Sequence, residues 1–546
     1  MEGSGQVAPG GETVGRTGFR FVSQLLALLS LLVTAPLAAD EFRSPSLTAL
    51  RVDWRAALDQ LRAEINSRPQ IAGDFIFVPR RSVPRYDPRA MPALVQLNAI
   101  SSQFFTGIAR SSVPVLLPFD AAAYLEAQRS GAPATLALSR YQADFNPVDL
   151  FDAGPAGYSA SFSLEPGAGD GMPTRVFARP VEVQITGSAL IYDIADPSGG
   201  KGEPVKPLAT LYPDLRRFIR EGYVRYAFTR FGVAYVVSIQ CLDSVAKPRR
   251  LACKEAYPVA ERFLRALRVA GGQRMRPLTD VASNVIDRPS ARSADFIYRP
   301  SGDIIPNTGY RNKSGHPDVM TYAQIRFPLE KAPAFVRSQS YAKRDKMEST
   351  TAYPWRDNFC ESRSFEVWQC GGGYGHQGED IRAAECPPQS EGGERCDPKR
   401  RSVVAVRDAM VIRGSRDQAA TLQVNSRTEH IRFRYMHMNP QAMNADGLLN
   451  GRIVAEGEKI GVVSNYLDHP AGTSMHLHFD VQLFTRDGWI WVSPYVTLVS
   501  AYERLIRARG REVGPEIAGA PQPVAHALPE DVFKPDLREG SSGEEN

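Results

Sequence analysis

The sequence predicts an α+β, multidomain protein, on three observations. Its 546 residues suffice for three or four domains of about 150 residues each. Apolar residues make up 43% and charged residues 23%, the balance of a globular chain, which excludes a wholly disordered chain, a collagen-like fibre and a polytopic membrane protein. Helix-like and strand-like patterns alternate along it, and 44 Gly and 41 Pro supply many turns and loops. The net charge of +5 is mild. It favours nucleic acid no more than an anionic cell wall.

Arg16 and Arg20 precede an apolar run, Phe21–Ala39, that ends in small residues before Asp40. A basic flank, an apolar centre and a small-residue end describe a secretory signal at 1–39, cut after Ala39. The alternative is an uncleaved anchor, since about 19 apolar residues nearly span a bilayer. Export makes disulfides the expected fate of the six cysteines. They fall into close pairs: Cys241 with Cys253, Cys360 with Cys370, and Cys386 with Cys396. Sequential pairing is the simplest scheme. A four-Cys zinc site over 360–396 is the rival, although such sites usually have two to four residues between the ligands of a pair.

Residues 40–150 form a region of mixed helix and loop. Within it Leu47–Ile65 places apolar groups at helical spacing and then meets Asn66–Pro69, a stop. Residues 151–275 read as an α+β domain of unassigned role. Val181–Ile185 and Tyr223–Gln240 are strand-like, with Gly232 as a turn, and Ala256–Val269 reads as an amphipathic helix ended by Gly271 and Gly272. Isolated Asp, Glu and Ser residues there are expected on the solvated surface. Residues 276–345 are a connector containing one strand-like stretch, Ala323–Phe327. Beyond it lies 346–500, and 501–546 holds the end of a helix, Tyr495–Arg509, and an acidic tail expected to be disordered.

Four of the eight histidines fall in three short segments of unusual chemistry. In Gly375-His376-Gln377-Gly378-Glu379-Asp380, a His and a carboxylate four residues apart can reach one metal ion. In Met475-His476-Leu477-His478-Phe479-Asp480, a strand sends His476 and His478 to one face and Leu477 and Phe479 to the other. In Tyr435-Met436-His437-Met438, a strand-like stretch, Ile431–Tyr435, leads into His437. His316, His430, His469 and His526 receive no role.

In this order, GHQGEDI, YMHM and MHLHFD resemble the motifs of the LytM/lysostaphin-type zinc metallopeptidases, which are peptidoglycan endopeptidases. SVVAVRDAMVI is similar to that family's strand after the first motif, and EGEKIGVVSN to its glycine-containing turn before the last. The resemblance covers about residues 370–495. It departs at Asp480, where the family often has Glu, at Ala409, where Gly is common, and in an inserted loop at 383–400.

The resemblance implies that 346–500 is a mostly antiparallel β catalytic domain. It implies one Zn²⁺ per chain, held by His376, Asp380 and His478, with His437 and His476 as catalytic residues that are not ligands. Three protein ligands leave a position open, as catalytic zinc requires. The implied activity is zinc-dependent hydrolysis of peptide bonds in peptidoglycan stem peptides or cross-links. The alternative is a catalytically silent, wall-binding activator of another hydrolase. Peptidoglycan is the expected partner and nucleic acid is not. A membrane tether is expected only if the signal stays uncleaved, and the N-terminal region could meet a regulatory protein. The expected location is outside the cytoplasm, in a periplasm. The connector running into the first motif suggests auto-inhibition by residues 276–375.

Overall fold

The computed structural model describes residues 45–66, 90–120, 123–124, 141–164, 180–194, 202–241, 251–274, 325–336, 353, 355–383 and 402–506. The signal candidate, Cys386, Cys396, most of the connector and the tail after Ile506 lie outside them. All described residues belong to one unit, Ser44–Asn546. The architecture is mixed, with mostly antiparallel sheets and few helices.

The first part contains β1 (Ser46–Ala49), α1 (Trp54–Asn66), α2 (Ala90–Ser101), β2 (Val115–Leu117), β3 (Phe145–Ala153), β4 (Gly157–Leu164), β5 (Val181–Ser188) and β6 (Leu190–Asp193). It continues with β7 (Glu203–Pro204), β8 (Arg216–Arg220), β9 (Tyr223–Arg230), β10 (Val233–Gln240), α3 (Ala256–Ala266) and β11 (Arg268–Gly271). Seven of these strands form one antiparallel sheet in the order β3-β4-β5-β10-β9-β8-β7. Strand alternation divides its two faces. On β10, Val233, Tyr235, Val237 and Ile239 enter a core with Phe263 and Leu264 of α3. Ala234 and Val236 point the other way, towards Phe484 and Trp489 of the second sheet.

That second sheet is built from β12 (Ala334–Val336), β13 (Glu379–Ala383), β15 (Ala409–Ile412), β16 (Ala420–Asn425), β17 (His430–Met436), β18 (Ile453–Val454), β20 (Leu477–Thr485) and β21 (Gly488–Val492). A separate pair joins β14 (Ser402–Val404) to β19 (Lys459–Val462), and the helices are α4 (Pro440–Ala445) and α5 (Tyr495–Ile506). The order is β12-β13-β20-β17-β16-β15-β18, with β21 also on β20. Thus β20 is central. It pairs with β17 along one side, and with β13 and then β21 along the other.

The seam between the two large sheets carries specific polar contacts. Asp152 of β3 accepts from Gln423 and, at 2.8 Å, from Asn425 Nδ2 of β16. Arg432 of β17 donates to Ser159 Oγ of β4 at 3.1 Å and lies over the Trp489 ring at 3.9 Å. Trp489 Nε1 donates to Thr186 Oγ1 of β5 at 3.2 Å. Contrary to the expectation of a solvated surface, Asp152, Ser159, Ser188 and Glu221 are buried. The physical reason is that a second sheet covers this polar face.

Several local expectations are corrected. Leu47 lies in β1, paired with Tyr192 of β6, so the helix begins only at Trp54. The helix from Ala256 stops at Ala266, and Arg268–Gly271 pairs with β2. SVVAVRDAMVI is two strands in different sheets, broken at Ala405–Asp408. Of the strand-like stretch Ala323–Phe327, residues 323 and 324 lie outside the described residues and Ile325–Phe327 is not a strand; the strand of the connector is Ala334–Val336, on β13. Phe327 instead packs in an aromatic cluster with Trp355 and Tyr502 of α5, ring centres 5.8 and 5.2 Å away. The turn at Gly232 is present, with φ of 73° between β9 and β10. Cys241–Cys253 and Cys360–Cys370 are disulfides, and the second removes two thiols that a four-Cys zinc site would need. No described helix is long and apolar enough to cross a membrane.

Candidate metal centre

Three neighbouring strands bring the singled-out residues together. In the β13–β20 pairing Asp380 stands opposite His478, and in the β17–β20 pairing Met436 stands opposite His478. His437 follows at the end of β17 with φ of 69°. Just before β20, His476 bridges to Ser464, its N–H donating to Ser464 O at 3.1 Å.

His376 enters from a loop closed by Cys360–Cys370. Its N–H donates to Glu361 O, and its carbonyl accepts from Cys360 N, both at 2.9 Å. Two glycines permit this approach. A Cβ on Gly375 would sit 2.7 Å from Cys360 Cα, and one on Gly378 would sit 2.3 Å from Phe479 O. Either position with a side chain would push the first motif off β20.

Three donor atoms converge as a near-equilateral triangle. His376 Nε2 is 3.1 Å from His478 Nδ1, and each is 3.2 Å from Asp380 Oδ1. Donors bound about 2.0–2.1 Å from one tetrahedral zinc stand about 3.3 Å apart, so the set fits such an ion. Among the described residues this is the cluster able to hold a metal. All three side chains are buried.

Each ring is fixed by its other nitrogen. His376 Nδ1 faces Asn358 O at 3.0 Å, and His478 Nε2 faces Asp480 Oδ2 at 3.2 Å. Asp480 Oδ2 also accepts from Arg434 Nε at 2.7 Å. Partners of this kind orient a ligating histidine and select its tautomer. Burial alone would raise the Asp480 carboxyl, but the Arg434 guanidinium and His478 outweigh it and hold Asp480 below its ordinary value. Burial would likewise raise Asp380, yet His376 and His476 hold it well below. Burial would lower His478, but hydrogen bonds to Asp380 and Asp480 raise it.

The remaining two histidines line the same centre. The His437 and His476 rings are 4.6 Å apart, and the His437 ring is 6.2 Å from that of His478. His437 Nδ1 faces Tyr466 O at 3.0 Å. Burial, and then the neighbouring His476 and His478, push its pKa down to about 3, so the ring is neutral. His476 Nδ1 is 2.7 Å from Ser474 O, and its Nε2 is 3.3 Å from Asp380 Oδ1. Tyr435 is not at the centre. It is fully buried, and its hydroxyl accepts from Val406 N at 3.0 Å.

The structure thus brings His376, Asp380, His437, His476 and His478 into one group. Sequence reasoning missed Asp480, Asn358 and Tyr466 as partners. Asp480 had a signal, since it lies two residues after His478 on one strand and so shares its face. Asn358 and Tyr466 act through backbone carbonyls, which carry no residue-type signal.

No family model and no curated protein matches this chain. One solved structure does, the "putative glycyl-glycine endopeptidase lytM from Ruminococcus gnavus", at 18% identity and a TM-score of 0.22. The match covers 33% of this chain and 62% of that one. At this TM-score the likeness establishes no shared fold.

Proposed function

We propose that this protein is a zinc-dependent endopeptidase that cuts peptide bonds in peptidoglycan, with a catalytic domain of LytM/lysostaphin type. The observation that carries this reading is the triangle of His376, Asp380 and His478 beside two further histidines. Its order of motifs along the chain resembles that family. His376, Asp380 and His478 would hold one zinc ion. Bound there, zinc would supply Lewis acidity, polarising a carbonyl and lowering the pKa of a water.

The chain's own residues divide the remaining work. His437 is neutral, and the Nδ1 proton it gives to Tyr466 O leaves the Nε2 lone pair as a proton acceptor. In this reading it accepts a hydrogen bond from a water and so orients it. His476 faces two acceptors, Ser474 O and Asp380 Oδ1, and so is the better placed donor. It would stabilise charge developing on the substrate oxygen or protonate the leaving amine. Asp480 and Arg434 hold His478 in place. The two disulfides and the apolar N-terminal run support export, with a periplasm as the proposed location.

Digesting purified sacculi with the full chain and zinc, and weighing the released muropeptides by mass spectrometry, tests the activity. Loss of cross-linked dimers with matching monomers supports the endopeptidase and identifies the bond. Tight zinc binding with no new muropeptide from any wall chemotype contradicts it. The silent activator is disfavoured because no ligand of the triangle is missing.

A further inference from the structure

The β13–β20 ladder ends with Ile381 opposite Leu477. The next residues on the two chains are Arg382 and His476, where the strands part. His476 follows closely on an exposed loop, residues 467–471, that is closed by Thr473 N donating to Asn465 O at 3.2 Å. A ring so near a loop holds one orientation only if its neighbours are fixed.

Arg382 fixes them. Strand alternation puts it on the face of β13 that carries Asp380, two residues earlier. Its guanidinium forks across the gap to the residues before His476. Nη1 donates to Met475 O at 2.5 Å, and Nη2 donates to Ser474 Oγ at 2.8 Å. A planar guanidinium with two such bonds sets orientation as well as distance, which an ammonium does not. The chain is held as well by His476 N, which donates to Ser464 O at 3.1 Å.

The grip reaches the ring itself. His476 Nδ1 lies 2.7 Å from Ser474 O and 3.3 Å from Ser474 Oγ. A carbonyl oxygen only accepts, so Nδ1 carries a proton. Arg382 thus holds Ser474 by its hydroxyl, while the carbonyl of the same serine fixes the ring and the nitrogen that bears the proton. The other nitrogen, Nε2, faces the metal centre, 3.3 Å from Asp380 Oδ1. One strand, β13, therefore holds the ring from both ends, through Asp380 directly and through Arg382 by way of Ser474.

We propose that Arg382 is a positioning residue for His476: by clamping Ser474 and Met475 it orients the ring and keeps a proton on Nδ1. The catalytic role of His476 rests on the endopeptidase reading, but the clamp does not. The first readout is the ring. The full chain, with isotope-labelled histidine and added zinc, is compared with Arg382→Met by long-range proton–nitrogen correlation NMR, and His476→Gln identifies the His476 signals. The wild-type Nδ1 resonance should lie in the range of a protonated nitrogen. In Arg382→Met it should move towards the average of two tautomers. Ser474→Ala removes one end of the clamp and should move it the same way by less, which tests the clamp even if Arg382→Met fails to fold. Zinc content of Arg382→Met should stay at the wild-type level. The second readout is the rate on a soluble cross-linked muropeptide. Arg382→Met should be slower by roughly 10- to 100-fold, the cost of misplacing an acid–base group. In a chain that already carries His476→Ala it should cost nothing further.

An Nδ1 resonance that moves in neither variant overturns the proposal, whatever the rate does. So does an equal loss of rate with and without His476, because Arg382 would then act elsewhere. Loss of zinc from Arg382→Met alone would make the arginine a support for Asp380 and overturn it too. If the ring responds as described and the wild type leaves the muropeptide intact, the clamp stands and the endopeptidase reading falls.

Discussion

Ser188 Oγ lies 2.9 Å from His430 Nδ1, and both residues are wholly buried in the seam between the two sheets. The serine also bonds Leu190 O at 2.7 Å. The hydroxyl also lies 3.2 Å from Ala156 O; with its single proton on one of these two carbonyls, it accepts from His430 Nδ1. Nε2 is buried without a hydrogen-bond partner, which suits a neutral ring packed on Trp489 and Phe484.

A pH dependence follows from that neutral ring. Burial, and then Arg432, push the His430 pKa from 6.5 to about 3. Between these values the unfolded chain binds the extra proton, so stability rises with pH through the window and is lost as pH falls from 6.5 towards 3. The slope from this one group is at most about 1.4 kcal/mol per pH unit. His430→Phe keeps a packed ring and removes the titration. Denaturant melts of both proteins from pH 4 to pH 7 should show a flatter profile for the variant. Parallel profiles would refute the assignment.

The buried pair Glu221–Arg225 makes a second test. Their side chains are 1% and 4% exposed, and Glu221 Oε1 also accepts from Trp368 N and Trp491 N. Burial, the largest influence, raises the carboxyl of Glu221 against the pull of Arg225. Removing one partner strands the other charge in the seam, at a cost of about 3–5 kcal/mol. Glu221→Ala should lose that much in urea unfolding. A loss within the noise of a surface substitution would show that the seam is not held there.

Deleting everything before Lys346 should reduce activity and solubility. The auto-inhibition expectation predicts the reverse. Residues Ala334–Val336 are the edge strand on β13, and Phe327 fills the cluster with Trp355 and Tyr502. The same deletion uncovers Phe484 and Trp489, which pack against Ala234 and Val236. Binding of a hydrophobic dye and a lowered melting temperature in the short chain would bear this out. A stable short chain with higher activity on sacculi would restore the inhibitory connector.

Much of the centre was legible because its chemistry is local. His476 and His478 share a strand face at spacing two, and His376 and Asp380 flank a glycine at spacing four. The seam was not legible. Asp152, Ser188 and Glu221 look like surface residues along the chain, and only a second sheet arriving from more than 200 residues away buries them. The strand pattern of Val181–Ser188 and Tyr223–Gln240 could be read from β-branched and aromatic runs. Leu47 could not, because its apolar spacing fits the following helix equally well and only pairing with Tyr192 decides. Asp480 was visible as a departure from a family motif, yet its contact with His478 shows only in the folded chain.

In the proposed function, His376, Asp380 and His478 form one zinc site beside His437 and His476. The most direct test is zinc content per chain, by elemental mass spectrometry after dialysis against trace zinc, for the wild type and five variants. The expected result is about one zinc in the wild type, His437→Ala and His476→Ala. His376→Ala, Asp380→Ala and His478→Ala should each lose it, since three ligands is the usual number for a catalytic site. Zinc retained by His478→Ala and lost by His476→Ala would reverse the assignment of that pair, and zinc absent from the wild type would contradict the claim itself.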